Sequence, residues 1–344
     1  MLNLLFLSAL AAGLAALYAW AFRALPRERW QFVATAPSQR RIEGWSGVNF
    51  TFYGFFAATA YALGGALYLI LAGAAGVGFE AATAFLIALV ALCAPASHLL
   101  TRLIERKRHG FTVGGAVFVG FFAALLLLLP LGRALGQELP AGPLLAAGMI
   151  AYVLGEGVGR LGCISFGCCH GKPVEETSGW VRSLSERFPF VFEGECKKIA
   201  FASRLAGRPV APVQAFTAVV LGATALGATS LYLNGLYGWS IALGGAVSQL
   251  WRVYSETLRA DFAGVGKGSP FQYMAGAVVI GCAAAPWLLP ATAPRPELEA
   301  GLRALWAPGA LLFLQALWLL IFFYMGRSMQ TGAALSFHVH ADRV

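Results

Sequence analysis

Five side chains in two apolar stretches carry charge where charge is expensive. In Gly155-Glu156-Gly157-Val158-Gly159-Arg160, Glu156 and Arg160 are four apart, on one helix face and in the favourable order. In Trp251-Arg252-Val253-Tyr254-Ser255-Glu256-Thr257-Leu258-Arg259, residues Arg252, Glu256 and Arg259 again share a face. A charge inside hydrocarbon costs several kcal/mol unless it is paired or hydrated. These residues therefore predict either ion pairs that lock two helices together or a polar pocket for an anion. A guanidinium donates two parallel hydrogen bonds to a phosphate or carboxylate, so two arginine-bearing helices suit an anionic lipid headgroup.

Thiol chemistry is the other possibility. Cys163, Cys168, Cys169 and His170 follow Arg160 closely, with Gly162, Gly167 and Gly171 among them to let a backbone approach a ligand. Adjacent residues rarely chelate one metal together, and no C-x-x-C pair supports them, so no metal and no cofactor is expected. A redox or acyl-accepting thiol remains an alternative. Cys93 and Cys282 lie in apolar runs and read as small buried hydrophobes.

The elements that must position these groups follow from composition. The chain has 344 residues, 58% of them hydrophobic and only 12% charged, with a mean hydropathy of +0.69. Soluble domains carry roughly 25% charged residues, so a soluble fold and a disordered chain are both excluded. An all-α polytopic membrane protein is expected, since a spanning helix needs about 20 apolar residues. Nine spans are predicted, at 2–22, 51–74, 81–98, 112–132, 142–163, 211–233, 238–257, 270–290 and 306–325. The first is read as a retained helix rather than a signal peptide, because it lacks a basic start. Residues 23–50 read as a basic loop, and 171–210 as a small extramembrane head. No nucleic-acid motif accompanies the net charge of +9, and no phosphate-loop motif suggests ATP. Basic loops on such a chain point to anionic lipid.

The segment Gly159-Arg160-Leu161-Gly162-Cys163 through Gly171 resembles the signature G-R-x-G-N-F-x-N-x-E-x-x-G of the bacterial prolipoprotein diacylglyceryl transferases. Tyr53-Gly54, Gly114-Gly115, Pro212-Val213-Gln214 and Arg252-x-x-x-Glu256-x-x-Arg259-x-Asp261, followed by Ser269-Pro270-Phe271-Gln272, resemble further family motifs in the same order. The resemblance covers roughly 48–290 as a seven-helix core, leaving 1–47 and 291–344 as an extra helix at each end. It implies transfer of a diacylglyceryl group from phosphatidylglycerol to a thiol, in a lipoprotein precursor or another acceptor, in the bacterial cytoplasmic membrane. It implies that Arg160 and Arg252 hold the phosphate, that Glu156, Glu256 and Arg259 support them, and that Tyr53, Gly114, Gly115, Gly159, Gly162, Cys163, Gly171 and Gln214 line the site. The chain departs from the pattern at Cys163, Phe166 and Cys168, where the family has Asn, Asn and Glu. Val113 and Ala211 stand where many members have His, so His170, then His109, are the candidate bases, with His98 a third nearby histidine. These losses keep a non-catalytic phospholipid-binding or scaffold protein in play, alongside a thiol or metal redox protein.

Charge and family disagree about sidedness. With nine spans, all but Arg133, Arg295 and Arg303 of the 25 Lys and Arg fall on or near the site side. The positive-inside rule makes that side cytoplasmic, whereas the family carries its site on the outer face. A reporter fused to the C-terminus separates them. The family orientation predicts a reporter on the outer face; a cytoplasmic signal moves the site to the inner face.

Overall fold

The computed structural model describes residues 1–29, 31–41, 44–104, 113–260, 270–289, 295–327 and 336–337. The chain is mostly helical. Helix α1 (Leu2–Ala24) leads to strands β1 (Phe32–Arg41) and β2 (Gly44–Thr51), then to α2 (Phe52–Ala74), α3 (Phe79–Ile104), α4 (Val113–Leu135) and α5 (Ala141–Phe166). A head follows, with a 3-10 turn (Val174–Glu176), α6 (Gly179–Arg187), β3 (Phe190–Val191), α7 (Lys198–Phe201) and β4 (Pro209–Val210). The chain then forms α8 (Val213–Leu233), α9 (Tyr237–Thr257), α10 (Pro270–Leu288), the short α11 (Leu298–Leu305), α12 (Pro308–Met325) and β5 (Ser336–Phe337).

Eight of these helices are long and apolar enough to cross a bilayer: α1 to α5, α8, α10 and α12. Helix α9 has 21 residues, as many as α8, but carries Arg252 and Glu256 and is less apolar. It nevertheless runs the length of α8. Gln214 at the start of α8 donates to the Cys168 carbonyl beside the head, and Leu258 just past α9 accepts from Lys172 of the head.

Helices α2, α5 and α8 form the interior, whereas α1, α3, α4, α10 and α12 are mostly exposed. Large apolar side chains on those outer helices, such as Leu126, Ile280, Trp287 and Leu320, point outward. Lipid, not water, is the solvent that suits such a surface. Helices α2 and α5 approach closely because glycine faces backbone: a Cβ on Gly64 would sit 2.8 Å from the Ala151 carbonyl, and one on Gly162 3.1 Å from the Tyr53 carbonyl. Small residues permit this contact in a membrane, where packing rather than water exclusion drives association.

The segment expected as a loop at 23–50 contains a β-hairpin. Strands β1 and β2 pair antiparallel with a register shift around Pro37, and β5 adds to β2. The hairpin ends where Thr51 caps α2 through its side chain and takes the Gly326 carbonyl beyond α12.

The head is fastened to the first helix. Arg29 donates twice to Glu193, at 3.0 and 2.9 Å. Lys197 is fully buried, donates to the Leu25 carbonyl at 2.6 Å and lies over the Phe192 ring. Burial pushes the Lys197 ammonium down to about 8, against the smaller opposing pull of Glu28 and Glu193.

Two predictions follow from this packing. Gly64→Ala lowers the melting temperature in detergent, at a cost of about 1–3 kcal/mol for overpacking, while Gly148→Ala, with nothing within 4 Å of the added carbon, does not. Lys197 takes up its proton less readily folded than unfolded, so stability rises with pH between about 8 and the ordinary lysine value of 10.5. The rise is up to about 3 kcal/mol, and melting scans of Lys197→Met lack it.

Candidate functional site

The site lies at the head end of α5 and α9. Along α5, Tyr152, Glu156 and Arg160 succeed one another at intervals of one helical turn, so they share a face. Arg160 Nη2 donates to Glu156 Oε1 at 2.5 Å, and Tyr152 donates to the other carboxylate oxygen. Gln249 on α9 donates to the Tyr152 hydroxyl at 3.2 Å, joining the two helices. Three residues on from Gln249, Arg252 stands with its Nε 3.8 Å from Glu256. Its field and that of Arg160 both reach Glu156.

The two arginines are not fully satisfied. Arg160 Nε and Arg252 Nη1 are buried and have no hydrogen-bond partner among the described residues. Each side chain keeps a small opening, 20% of Arg160 and 18% of Arg252. A buried N–H of a charged group without an acceptor costs more than a neutral one, about 1–3 kcal/mol or above. Gly114 gives the Arg252 guanidinium its room, since a Cβ there would come within 3.3 Å of Nη2. Gly115 is buried beside it in the first turn of α4.

The thiols adjoin this pair. The sulfurs of Cys163, Cys168 and Cys169 all lie within 4.8 Å of one another. Tyr53 and Arg160 share their electrostatic neighbourhood. Arg259 reaches Cys169, and its backbone bridges Gly171. Hydrogen bonds from Cys163 and Cys168, and then the guanidiniums of Arg259 and Arg160, hold the Cys169 thiol well below the usual thiol range.

Other expected residues take framework positions. Gln214 is buried and gives its amide N–H to the Cys168 carbonyl at 2.9 Å, and its Oε1 has no partner among the described residues. Gly171 packs where a Cβ would meet the Ala211 carbonyl at 2.3 Å. Gly159 faces Ala60 of α2. His170 is fully buried, with Nε2 2.9 Å from Ser203 Oγ and Nδ1 3.2 Å from the Gly171 carbonyl. Its ring is thus held by two partners within the head. His98 at the end of α3 is within 3.3 Å of the Tyr324 hydroxyl. His109, Asp261 and Ser269 lie outside the described residues.

Tyr152 and Gln249 are missing from the sequence-based site. Their signal was present: Tyr152 is one turn before Glu156, and Gln249 three residues before Arg252. The thiol cluster was undervalued because sequence adjacency hides how a helix ends. No protein-family model matches the chain, and no curated protein matches it.

Glu156 holds together the charges of two helices, so its removal is costly. Glu156→Ala is expected to lose about 3 kcal/mol or more, because it leaves buried cations without their anion. Glu256→Ala, whose pair is longer at 3.8 Å, loses less than Glu156→Ala. Thermal unfolding in detergent gives both values.

Proposed function

We propose that this protein is a multi-pass membrane transferase that takes a lipid group from an anionic phospholipid, most simply phosphatidylglycerol, and passes it to a thiol or another acceptor. The observation that carries this reading is the pair of buried N–H groups on Arg160 and Arg252 that have no acceptor among the described residues, presented by α5 and α9 near the Glu156 carboxylate. Among the described residues, the guanidiniums of Arg160, Arg252 and Arg259 stand at this end of α5 and α9 against the two carboxylates Glu156 and Glu256. That excess of positive charge favours an anion of the size of a phosphate. The resemblance to the diacylglyceryl transferases adds the chemistry. In this reading α9 counts as a ninth span and the chain resides in the bacterial cytoplasmic membrane.

The step follows from the charges. A thiolate attacks the glycerol carbon next to the phosphate ester oxygen. The carbon–oxygen bond breaks as the thioether forms, and glycerol phosphate leaves with the electron pair. Arg160 and Arg252 bind the phosphate in the donor and stabilise the charge that grows on its oxygen as the bond breaks. The thiol proton goes to a base or to solvent before attack. Tyr53 and Gln214 line the approach, and Glu156 keeps both guanidiniums aimed.

A second reading has one observation in its favour. His170 is tied to Ser203, and Val113 and Ala211 replace family histidines. A protein that binds phospholipid without turnover would tolerate these changes.

Incubation with phosphatidylglycerol labelled in its headgroup, with a thiol peptide as acceptor, distinguishes the two. Release of glycerol phosphate, reduced at least a hundredfold in Arg160→Ala and Arg252→Ala (about 3 kcal/mol of transition-state stabilisation), supports the transferase. Headgroup binding without release supports the binding protein. Full activity in both variants contradicts the arginine site.

A further inference from the structure

Helix α5 ends in a way that gathers sulfur. Gly167 has φ 71° and ψ 26°, and its N–H donates to the Ile164 carbonyl at 3.3 Å. The Cys168 N–H reaches back to the Cys163 carbonyl at 3.1 Å. This is a Schellman ending, which brings the residues at either end of the last bond, here Cys163 and Cys168, side by side. That place usually holds an apolar contact; here it holds two thiols. Cys169 then adopts φ 54°, a left-handed conformation that a non-glycine residue holds only at a cost of about 1 kcal/mol or more. The strain coincides with the placement of a third sulfur, and all three atoms fall within 4.8 Å of one another.

Three sulfurs bound to one ion at about 2.3 Å lie on the order of 4 Å apart, so the observed cluster needs only a slight contraction. We propose that Cys163, Cys168 and Cys169 form a three-thiolate site for a single soft metal ion of the Zn²⁺ or Cu⁺ class. The donor set has no oxygen, which excludes Mg²⁺ and Ca²⁺. A divalent ion bound by three thiolates displaces to solvent whatever thiol protons the cluster still holds and leaves one net negative charge. Arg160 and Arg259, both within electrostatic reach of Cys169, offset that charge. His170 does not complete the set, because its ring is held by Ser203 and the Gly171 carbonyl. A fourth position therefore stays open to water or to an incoming thiol. Cys168 and Cys169 are half-buried and give an ion its way in, with Cys163 the deepest of the three. The site rests on these sulfurs and stands whether or not the chain handles lipid.

The test uses the purified, reduced protein in detergent under argon, titrated with Zn²⁺ alone. Bound metal is counted by elemental analysis, and maleimide labelling is mapped by peptide mass. Tight uptake of one Zn²⁺ per chain, with Cys163, Cys168 and Cys169 protected and Cys196 still labelled, supports the site. Cys169→Gly suits the left-handed backbone and keeps the fold, yet weakens binding at least tenfold. Cys168→Ser does the same, whereas Cys196→Ser changes nothing. Absence of protection, unchanged affinity in Cys169→Gly and Cys168→Ser, or a disulfide among the three in place of metal overturns the proposal.

Discussion

A guanidinium placed among apolar helices must meet an anion or keep contact with water, and two of them meet at Glu156. Arg160 binds it directly, Arg252 feels it from α9, and Tyr152 takes its second oxygen. The arrangement around it follows from this requirement. Gly64 and Gly162 let α2 lie close to α5. Gln249 secures α9 to the same network. Gly114 leaves space for the second guanidinium. Even with Glu256 near Arg252, one N–H of each guanidinium stays without an acceptor among the described residues, and the proposed anion site rests on that shortfall.

The head and the hairpin can be understood as supports for that end of the bundle. Buried Lys197 and the pair Arg29–Glu193 tie the head to the end of α1. Backbone bonds from Lys172 to Leu258 and from Ala260 to His170 tie it to the end of α9. The two helices that carry the arginines are thereby clamped at the point where their charges sit. Trp180 of α6 packs on Phe216 of α8 and Tyr254 of α9 with its ring half exposed, a placement that suits the lipid–water boundary.

The spans were legible in the sequence because bilayer thickness sets a simple length rule, and their expected bounds agree with the helices to within a few residues at most ends. The charged faces of α5 and α9 were legible for the same reason, as exceptions to apolarity. The hairpin was not. Pro37 within β1 and the polar run Ser38-Gln39-Arg40-Arg41 argue against a strand, and its pairing with β2 and β5 is a tertiary fact. The thiol cluster was hidden too, because it depends on a left-handed residue at Gly167 and another at Cys169. The setting of His170 was not legible either, because its partner Ser203 lies 33 residues later in the chain.

Whether the arginine pair takes up an anion within the membrane is read out by native mass spectrometry of the delipidated protein, offered equal amounts of phosphatidylglycerol and phosphatidylcholine. One tightly held phosphatidylglycerol per chain is expected, displaced by excess phosphatidylglycerol and not by phosphatidylcholine. Equal retention of the two lipids, or of neither, would contradict it.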